Sequence, residues 1–333
     1  PDEEKESGLS HSQGGASGMK KKPLIVIAGP TASGKTSLGV EVCKEFSGEV
    51  ISADSMQIYK GMDIATAKPT KEEMQGIPHH MTDFLPVDES FSVADFQRLA
   101  AEFADEIYSR NHLPVIVGGT GLYIDSFVNN TKLTETPTDQ VLRQKLFERA
   151  QNEGAGALLE ELRAIDPEYA ENLHENNIKR VVRALELWYS GGKTMTEQNK
   201  ESHSRPSPYD VCYICLDVKE REYLYDRINK RVDKMLEDGL LEEAKSFSSF
   251  GPTSAQAIGY KELKPYFDGE KDLDGAIEAL KQSTRRYAKR QLTWFRRRAD
   301  AHRLYIDEYK NPDELKQSAF ETIKTFLNRE CER

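Results

Sequence analysis

Short apolar runs alternate with amphipathic stretches along this chain. Residues 24–28 (LIVIA), 49–53 (EVISA), 114–118 (PVIVG), 211–217 (VCYICLD) and 303–307 (RLYID) each read as a strand buried on both faces. The stretch from Ser37 (SLGVEVCKEF) reads as an amphipathic helix. Residues 91–110 predict another: Val93, Phe96, Leu99, Phe103 and Ile107 form one apolar stripe, and Ser92 with Asp95 makes a capping pair at its start. Strands alternating with helices predict an α/β fold, a parallel sheet with helices on both faces. Between the third and fourth strands the alternation stops. Residues 138–190 read as helix throughout, opened by Pro137 and Thr138 and closed by Gly191-Gly192. Residues 221–247 and 271–299 are further long helices. The pattern divides the chain into a tail (1–21), an α/β core (22–137 and 205–333) and a helical insertion (138–204).

Composition narrows the class. With 333 residues, 38% hydrophobic and 31% charged, the chain is a soluble globular protein by its averages. No apolar run approaches the ~20 residues of a membrane span. The Gly/Ser-rich start, PDEEKESGLSHSQGGASGMKKK, lacks the apolar centre of a secretory signal and reads as a disordered tail, with Met19 a candidate natural start. Four cysteines do not suggest a disulfide framework, and Cys212 and Cys215 point to opposite faces of a strand, which disfavours a shared zinc. A reducing cytoplasm is the expected location and a monomer the expected state. The net charge of −10 argues against nucleic acid, but its distribution does not. Residues 281–298, KQSTRRYAKRQLTWFRRR, hold eight basic residues, no acidic ones and three aromatics; IKRVVR (178–183) is a second basic cluster. Phosphate contacts are short-range, so local basic stripes can bind nucleic acid on an acidic chain; a solvated helix face is the other reading.

GPTASGKT, residues 29–36, joins the first strand to the first helix with the spacing G-x-x-x-x-G-K-T of a phosphate-binding loop. Gly29, Pro30, Thr31, Ala32, Ser33 and Gly34 form the loop, and the amides of Ala32 to Lys35 would point at the anion. Lys35 would contact the distal phosphate, and the Thr36 hydroxyl would ligate Mg²⁺. A triphosphate-hydrolysing enzyme also needs a strand-end acid for Mg²⁺. PVIVGGTGLY instead ends in Gly118-Gly119-Thr120-Gly121, and Asn199-Lys200-Glu201-Ser202 fails as a guanine-reading motif. The carboxylate stands at the end of the second strand, at Asp54, where strand ends line the ligand crevice of an open α/β sheet. Ser55, Met56 and Gln57 follow in a loop, and Gln57 could bond an adenine edge. The other reading is that Asp54 caps that turn. His79-His80 suggests structural packing more than acid–base or metal chemistry, since no third ligand is apparent.

GPTASGKT, SADSMQIYKGMDIATAKP, IPHHMTD, FSVADFQ, GGTGLY, NIKRVVRALELW, LYDRINKRVDKMLEDGLLEEA, QAIGYKEL and TRRYAKRQLTWFRR, in this order, resemble the tRNA dimethylallyltransferase (isopentenyltransferase) family. The match runs over about residues 22–308, and with no C₂H₂-type zinc segment after residue 300 it looks like the bacterial form. The resemblance implies that the loop holds the diphosphate of dimethylallyl diphosphate, a leaving group, which accounts for the missing strand-end acid. It implies prenyl transfer to the exocyclic N6 amine of the adenosine 3′-adjacent to the anticodon (position 37), with the base swung out of the anticodon stem-loop to reach a buried centre. It places Thr120 near the bridging oxygen, Asp54 as acceptor of the amine proton, and an arginine of the 221–247 helix on the diphosphate, with Arg227 favoured for catalysis over Arg231. Arg143, Lys179, Arg180 and Arg183 of the insertion, with Arg285, Arg286 and Arg290, would grip tRNA, joined by the 54–57 stretch. Three other readings stay open: a prenyltransferase for free adenine nucleotides, a loop kinase for a small acceptor, and a non-catalytic RNA-binding switch.

Overall fold

The structure is a computed structural model and describes residues 20–133, 139–202, 204–247 and 249–331. Most of the 1–21 tail and the Pro137-Thr138 helix opening lie outside the described residues. The strands are β1 (Lys22–Ala28), β2 (Gly48–Ala53), β3 (His79–His80), β4 (Leu113–Gly118), β5 (Tyr209–Asp217) and β6 (His302–Tyr305). The helices are α1 (Lys35–Phe46), α2 (Lys71–Met74), α3 (Val93–Ser109), α4 (Gly121–Val128), α5 (Gln140–Asn152), α6 (Ala155–Ile165), α7 (Pro167–Ala170), α8 (Ile178–Gly191), α9 (Met195–Ser202), α10 (Arg221–Glu237), α11 (Leu240–Ser246), α12 (Tyr260–Phe267), α13 (Leu273–Phe295) and α14 (Pro312–Cys331). Among these described residues no helix is long and apolar enough to cross a membrane.

The strands form one six-stranded parallel sheet in the order β3-β2-β4-β1-β5-β6. Period-two alternation splits the core between its faces. Leu24, Val26 and Ala28 pack with α3, α4 and α12; Ile25 and Ile27 pack with α1 and α14. Cys215 falls on the first face and Cys212 on the second, both as buried free thiols, so the pair does not share a side of the strand. Register aligns Ala53, Gly118 and Ala28 at the carboxyl ends of β2, β4 and β1. The segments leaving those three ends therefore emerge side by side.

The α3 helix starts as predicted: Ser92 and Asp95 form a complete capping box. The insertion is less regular than a continuous helix. Gly154 breaks it at φ 91°, and Pro167, which has no N–H to donate, starts a new turn capped by Asp166. Its helices close around their own apolar cluster, including Leu146, Leu158, Leu162, Val181 and Leu185. The 221–247 helix likewise divides at Gly239, whose φ is 100°.

His79-His80 is an edge strand, and it explains Glu49. The carboxylate of Glu49, almost wholly buried, accepts from Arg110 at 2.8 and 3.0 Å and meets His80 and His112 at 2.7 Å each. The Arg110 guanidinium holds the Glu49 carboxyl down at about 2, against the opposing effect of burial. A depressed carboxyl contributes stability above its ordinary range, and that contribution fades as pH falls through its folded value. Glu49→Gln is therefore expected to lose stability at pH 7 and to flatten the pH dependence between about 4.5 and 2. Denaturant unfolding at pH 7, 5 and 3 checks this; parallel curves for parent and variant would contradict it.

Candidate active site

The phosphate loop is shaped by conformations that few side chains tolerate. A Cβ on Gly29 would come within 2.7 Å of the Leu216 carbonyl oxygen, and Gly34 enters α1 at φ 93°. Ser33 Oγ and Lys35 Nζ both donate to the Pro30 carbonyl, at 2.8 and 2.6 Å. Two arginines of α10 hold the loop from outside its own segment. Arg227 Nε donates to the Ala32 carbonyl at 2.7 Å, and Arg231 Nη1 to Thr31 Oγ1 at 3.2 Å. Spaced four residues apart, they share a helix face, but only Arg231 turns into the cleft; Arg227 stays exposed on the loop's outer side. Lys234, one turn on, pairs with Asp238 at the surface.

The cleft has a volume of about 380 Å³ and a divided lining. Its polar end holds Thr31, Lys35, Thr36, Asp54 and Arg231. Asp54 Oδ1 accepts from the amides of Met56 and Gln57 at 2.9 and 3.3 Å, so the residue caps its turn and faces the cleft at once. Thr120 Oγ1 accepts from the Ser55 amide at 3.1 Å, which ties the β4 end to the β2 end. Burial and the neighbouring Arg231 bring Lys35 down to about 7, while Asp54 acts in the opposite direction. Burial likewise lowers Arg231. A cleft in which two cations stand together, partly withdrawn from water, is built for an anion.

Several candidate residues have other duties. The Gln57 amide donates to the Thr66 and Ala67 carbonyls at 3.2 and 3.0 Å and so fixes the next loop, a commitment that competes with reading an adenine edge. Arg143 and Arg183 both converge on Glu186, which is fully buried, at 2.7 and 3.1 Å. Arg285 bonds Asn229 and Glu278. Arg296 and Arg298 pair with Asp217 and Asp125. Glu186 and Asp217 are buried carboxylates that need such partners, so Arg143, Arg183 and Arg296 serve the fold. Lys179, Arg180, Arg286 and Arg290 are exposed, and Arg290 also lines the cleft mouth over the Tyr287 ring. The one strand-end acid on β5, Asp217, is held by Arg296 at 2.7 and 3.0 Å.

Two residues of α13, Tyr287 and Gln291, belong to the site; both fall within the basic stretch TRRYAKRQLTWFRR, whose charges draw attention away from them. Gln291 Oε1 accepts from the Thr31 amide at 2.8 Å while its Nε2 donates to the Gly119 carbonyl at 2.9 Å, a strut between the loop and the β4 end. Tyr287 contacts the Thr120 side chain, and burial, aided by Asp54, pushes its phenol up, so it stays protonated. Gln291 shares a buried face with Ala288, Leu292 and Phe295, and a lone amide on an apolar stripe is the signal that could have found it.

A family model described as IPP transferase matches residues 57–298, more than two-thirds of the chain. The chain belongs to the IPP transferase family. It is 46% identical to the tRNA dimethylallyltransferase of Thermoanaerobacter sp. (strain X514), covering 92% of this chain and 98% of that one. It is 50% identical to that of Halalkalibacterium halodurans, covering 85% and 90%. Among solved structures, the full-length tRNA isopentenylpyrophosphate transferase from Bacillus halodurans superposes with a TM-score of 0.70 at 44% identity, over 94% of this chain and 99% of that one. A eukaryotic dimethylallyltransferase acting on tRNA gives 0.71 at 32% identity, over 86% and 74%. This IPP transferase is an α/β enzyme of the transferase class, and its cleft lies where β2, β4 and β1 end together.

Proposed function

We propose that this IPP transferase moves a dimethylallyl group from dimethylallyl diphosphate to the exocyclic N6 amine of the adenosine 3′-adjacent to the anticodon, position 37, in tRNA. The observation that carries the reading is the opposition, across one cleft, of an anion-holding loop and the Asp54 carboxylate, with an apolar lobe beyond them. The amine lone pair is delocalised into the purine ring, so it attacks only a strongly activated carbon. The donor C–O bond breaks with its electron pair on diphosphate, the new C–N bond forms, and the amine proton passes to Asp54. Lys35, Arg231 and the loop amides take up the charge on the leaving group. Thr120, oriented through Ser55 and Tyr287, donates at the bridging oxygen. The Thr36 hydroxyl, a hard oxygen donor lining the cleft, would help hold Mg²⁺, and the ion would add positive charge at the leaving group.

The test is transfer of radiolabel from dimethylallyl diphosphate, with unmodified tRNA and free AMP offered in parallel. Label in tRNA supports the reading; label in AMP alone would make the protein a free-nucleotide prenyltransferase. The exposed Lys179 and Arg180 on the insertion and Arg286 and Arg290 on α13 favour tRNA, because a mononucleotide needs no such reach.

Salt dependence separates the cations that grip RNA from those that hold the fold. Arg180→Ala or Arg286→Ala should each flatten the log–log salt slope of tRNA binding by about 0.7, the share of one single-strand phosphate contact. Arg183→Ala should lower the melting temperature and leave the slope alone, since its partner is Glu186. Affinity titrations from low to moderate salt decide; an unchanged slope in the first two variants would remove them from the interface.

A further inference from the structure

Beyond the polar end, the cleft continues into an apolar lobe lined by Ala65, Val232, Met235, Leu240, Ala257 and Leu280. Val232, Leu240, Ala257 and Leu280 are almost wholly buried. The lobe runs along α10. Arg231 marks the diphosphate end, and Met235 stands four residues, just over one helical turn, further, about 6 Å along the axis. A branched chain four carbons long fills a turn of that length; a chain twice as long overruns it.

The far wall is stapled. Glu243 Oε2 accepts from the amides of Asp63 and Ile64 at 2.9 and 2.7 Å, and its Oε1 accepts from the Ala65 amide at 3.0 Å and the Tyr260 hydroxyl at 2.7 Å. One carboxylate thus fixes three consecutive amides of the loop that carries Ala65. Opposite it, a Cβ on Gly259 would lie 3.0 Å from Ala65 Cβ, so the Gly259 backbone already packs against the Ala65 methyl. Leu240 and Leu280 close the remaining side with no exposed surface to yield into. Among these lining groups Met235 is the long, unbranched side chain that is only partly buried, and so the one able to give way.

The geometry points to Met235 as the residue that limits the donor to a five-carbon prenyl diphosphate, with the Glu243-stapled loop as the fixed wall behind it. This rests on the prenyl-transfer reading above. The site takes allylic diphosphates as a class, and the Met235 side chain excludes the ten-carbon homologue by filling the space its second isoprene unit needs. One methylene too many in a closed apolar pocket costs roughly 10–200-fold in kcat/KM, and a whole isoprene unit costs more.

The experiment compares dimethylallyl diphosphate with geranyl diphosphate as donors to unmodified tRNA, for parent, Met235→Ala and Met235→Phe. Met235→Ala is expected to raise the geranyl-to-dimethylallyl ratio of kcat/KM at least about tenfold. Met235→Phe is expected to raise the KM for dimethylallyl diphosphate and leave geranyl transfer undetected. Lys234→Ala, on the outer face of α10, should leave the ratio at the parent value. A ratio unchanged in Met235→Ala, in a variant that still prenylates tRNA from the five-carbon donor, overturns the gate. A parent enzyme that transfers from neither donor overturns the prenyl-transfer reading instead, and the two failures are distinct.

Discussion

Asp54→Ala lowers prenyl transfer by a factor of about 10²–10⁴, the usual contribution of a positioned general base, while tRNA affinity survives. The expectation follows from two features. Asp54 leaves the end of β2 directly beside the β4 end and the phosphate loop, so the carboxylate and the donor share one cleft. One of its oxygens is anchored by two backbone amides, which fixes the direction of the other. Asp54→Asn keeps much of that turn but cannot take a proton, so it should fall as far as the alanine variant in rate and less in stability. A single-turnover rate within threefold of the parent for both variants would remove Asp54 from the proton path.

Lys35→Ala and Arg231→Ala are the next most damaging changes, each costing about 10²–10³ in kcat as preorganised cations are lost from the leaving group. Arg227→Ala should cost far less, because its guanidinium holds the Ala32 carbonyl from outside the cleft. The lysine also makes donor binding depend on pH. In the free protein burial and Arg231 bring it to about 7, so above that pH the amine is mostly neutral. A bound diphosphate favours the ammonium, so binding takes up a proton between about pH 7 and the ordinary lysine value near 10.4, and affinity falls as pH rises through that window. The same depressed value means that the free fold gains stability through Lys35 as pH rises across it, since the unfolded chain keeps a proton that the folded one has lost. Calorimetry of donor binding at pH 8.5 in two buffers of different ionisation enthalpy reads the proton directly. Equal heats in both buffers, or an uptake that persists in Lys35→Ala, would contradict the assignment.

The loop and Asp54 were legible in the sequence because their chemistry is local. A Gly-x-x-x-x-Gly-Lys-Thr between an apolar run and a helix leaves few conformations, and a carboxylate just past a buried strand points to the crevice. The choice between Arg227 and Arg231 was not legible. Both lie on one helix face, and only the way α10 crosses the loop turns Arg231 inward and leaves Arg227 at the rim. The role of Arg143 hid for the same reason, since Glu186 lies 43 residues away; Arg183 stands three residues before Glu186 on α8, a spacing that offers the pair without announcing that the carboxylate is buried. The break at Gly239, by contrast, was written in Asp238-Gly239, a helix-ending signal outweighed by the apolar pattern running through it. Gln291 acts across 260 residues of sequence, a distance no periodicity carries.

The measurement that bears most directly on the account is the fate of the phosphates. The protein is incubated with dimethylallyl diphosphate and unmodified tRNA, and separately with ATP and the same tRNA, each with Mg²⁺. The account predicts one diphosphate released for each prenylated tRNA in the first reaction and no phosphate released from ATP in the second. Phosphate release or phosphoryl transfer from ATP, with no prenyl group on tRNA, would mean that the loop serves a triphosphate and would contradict the account.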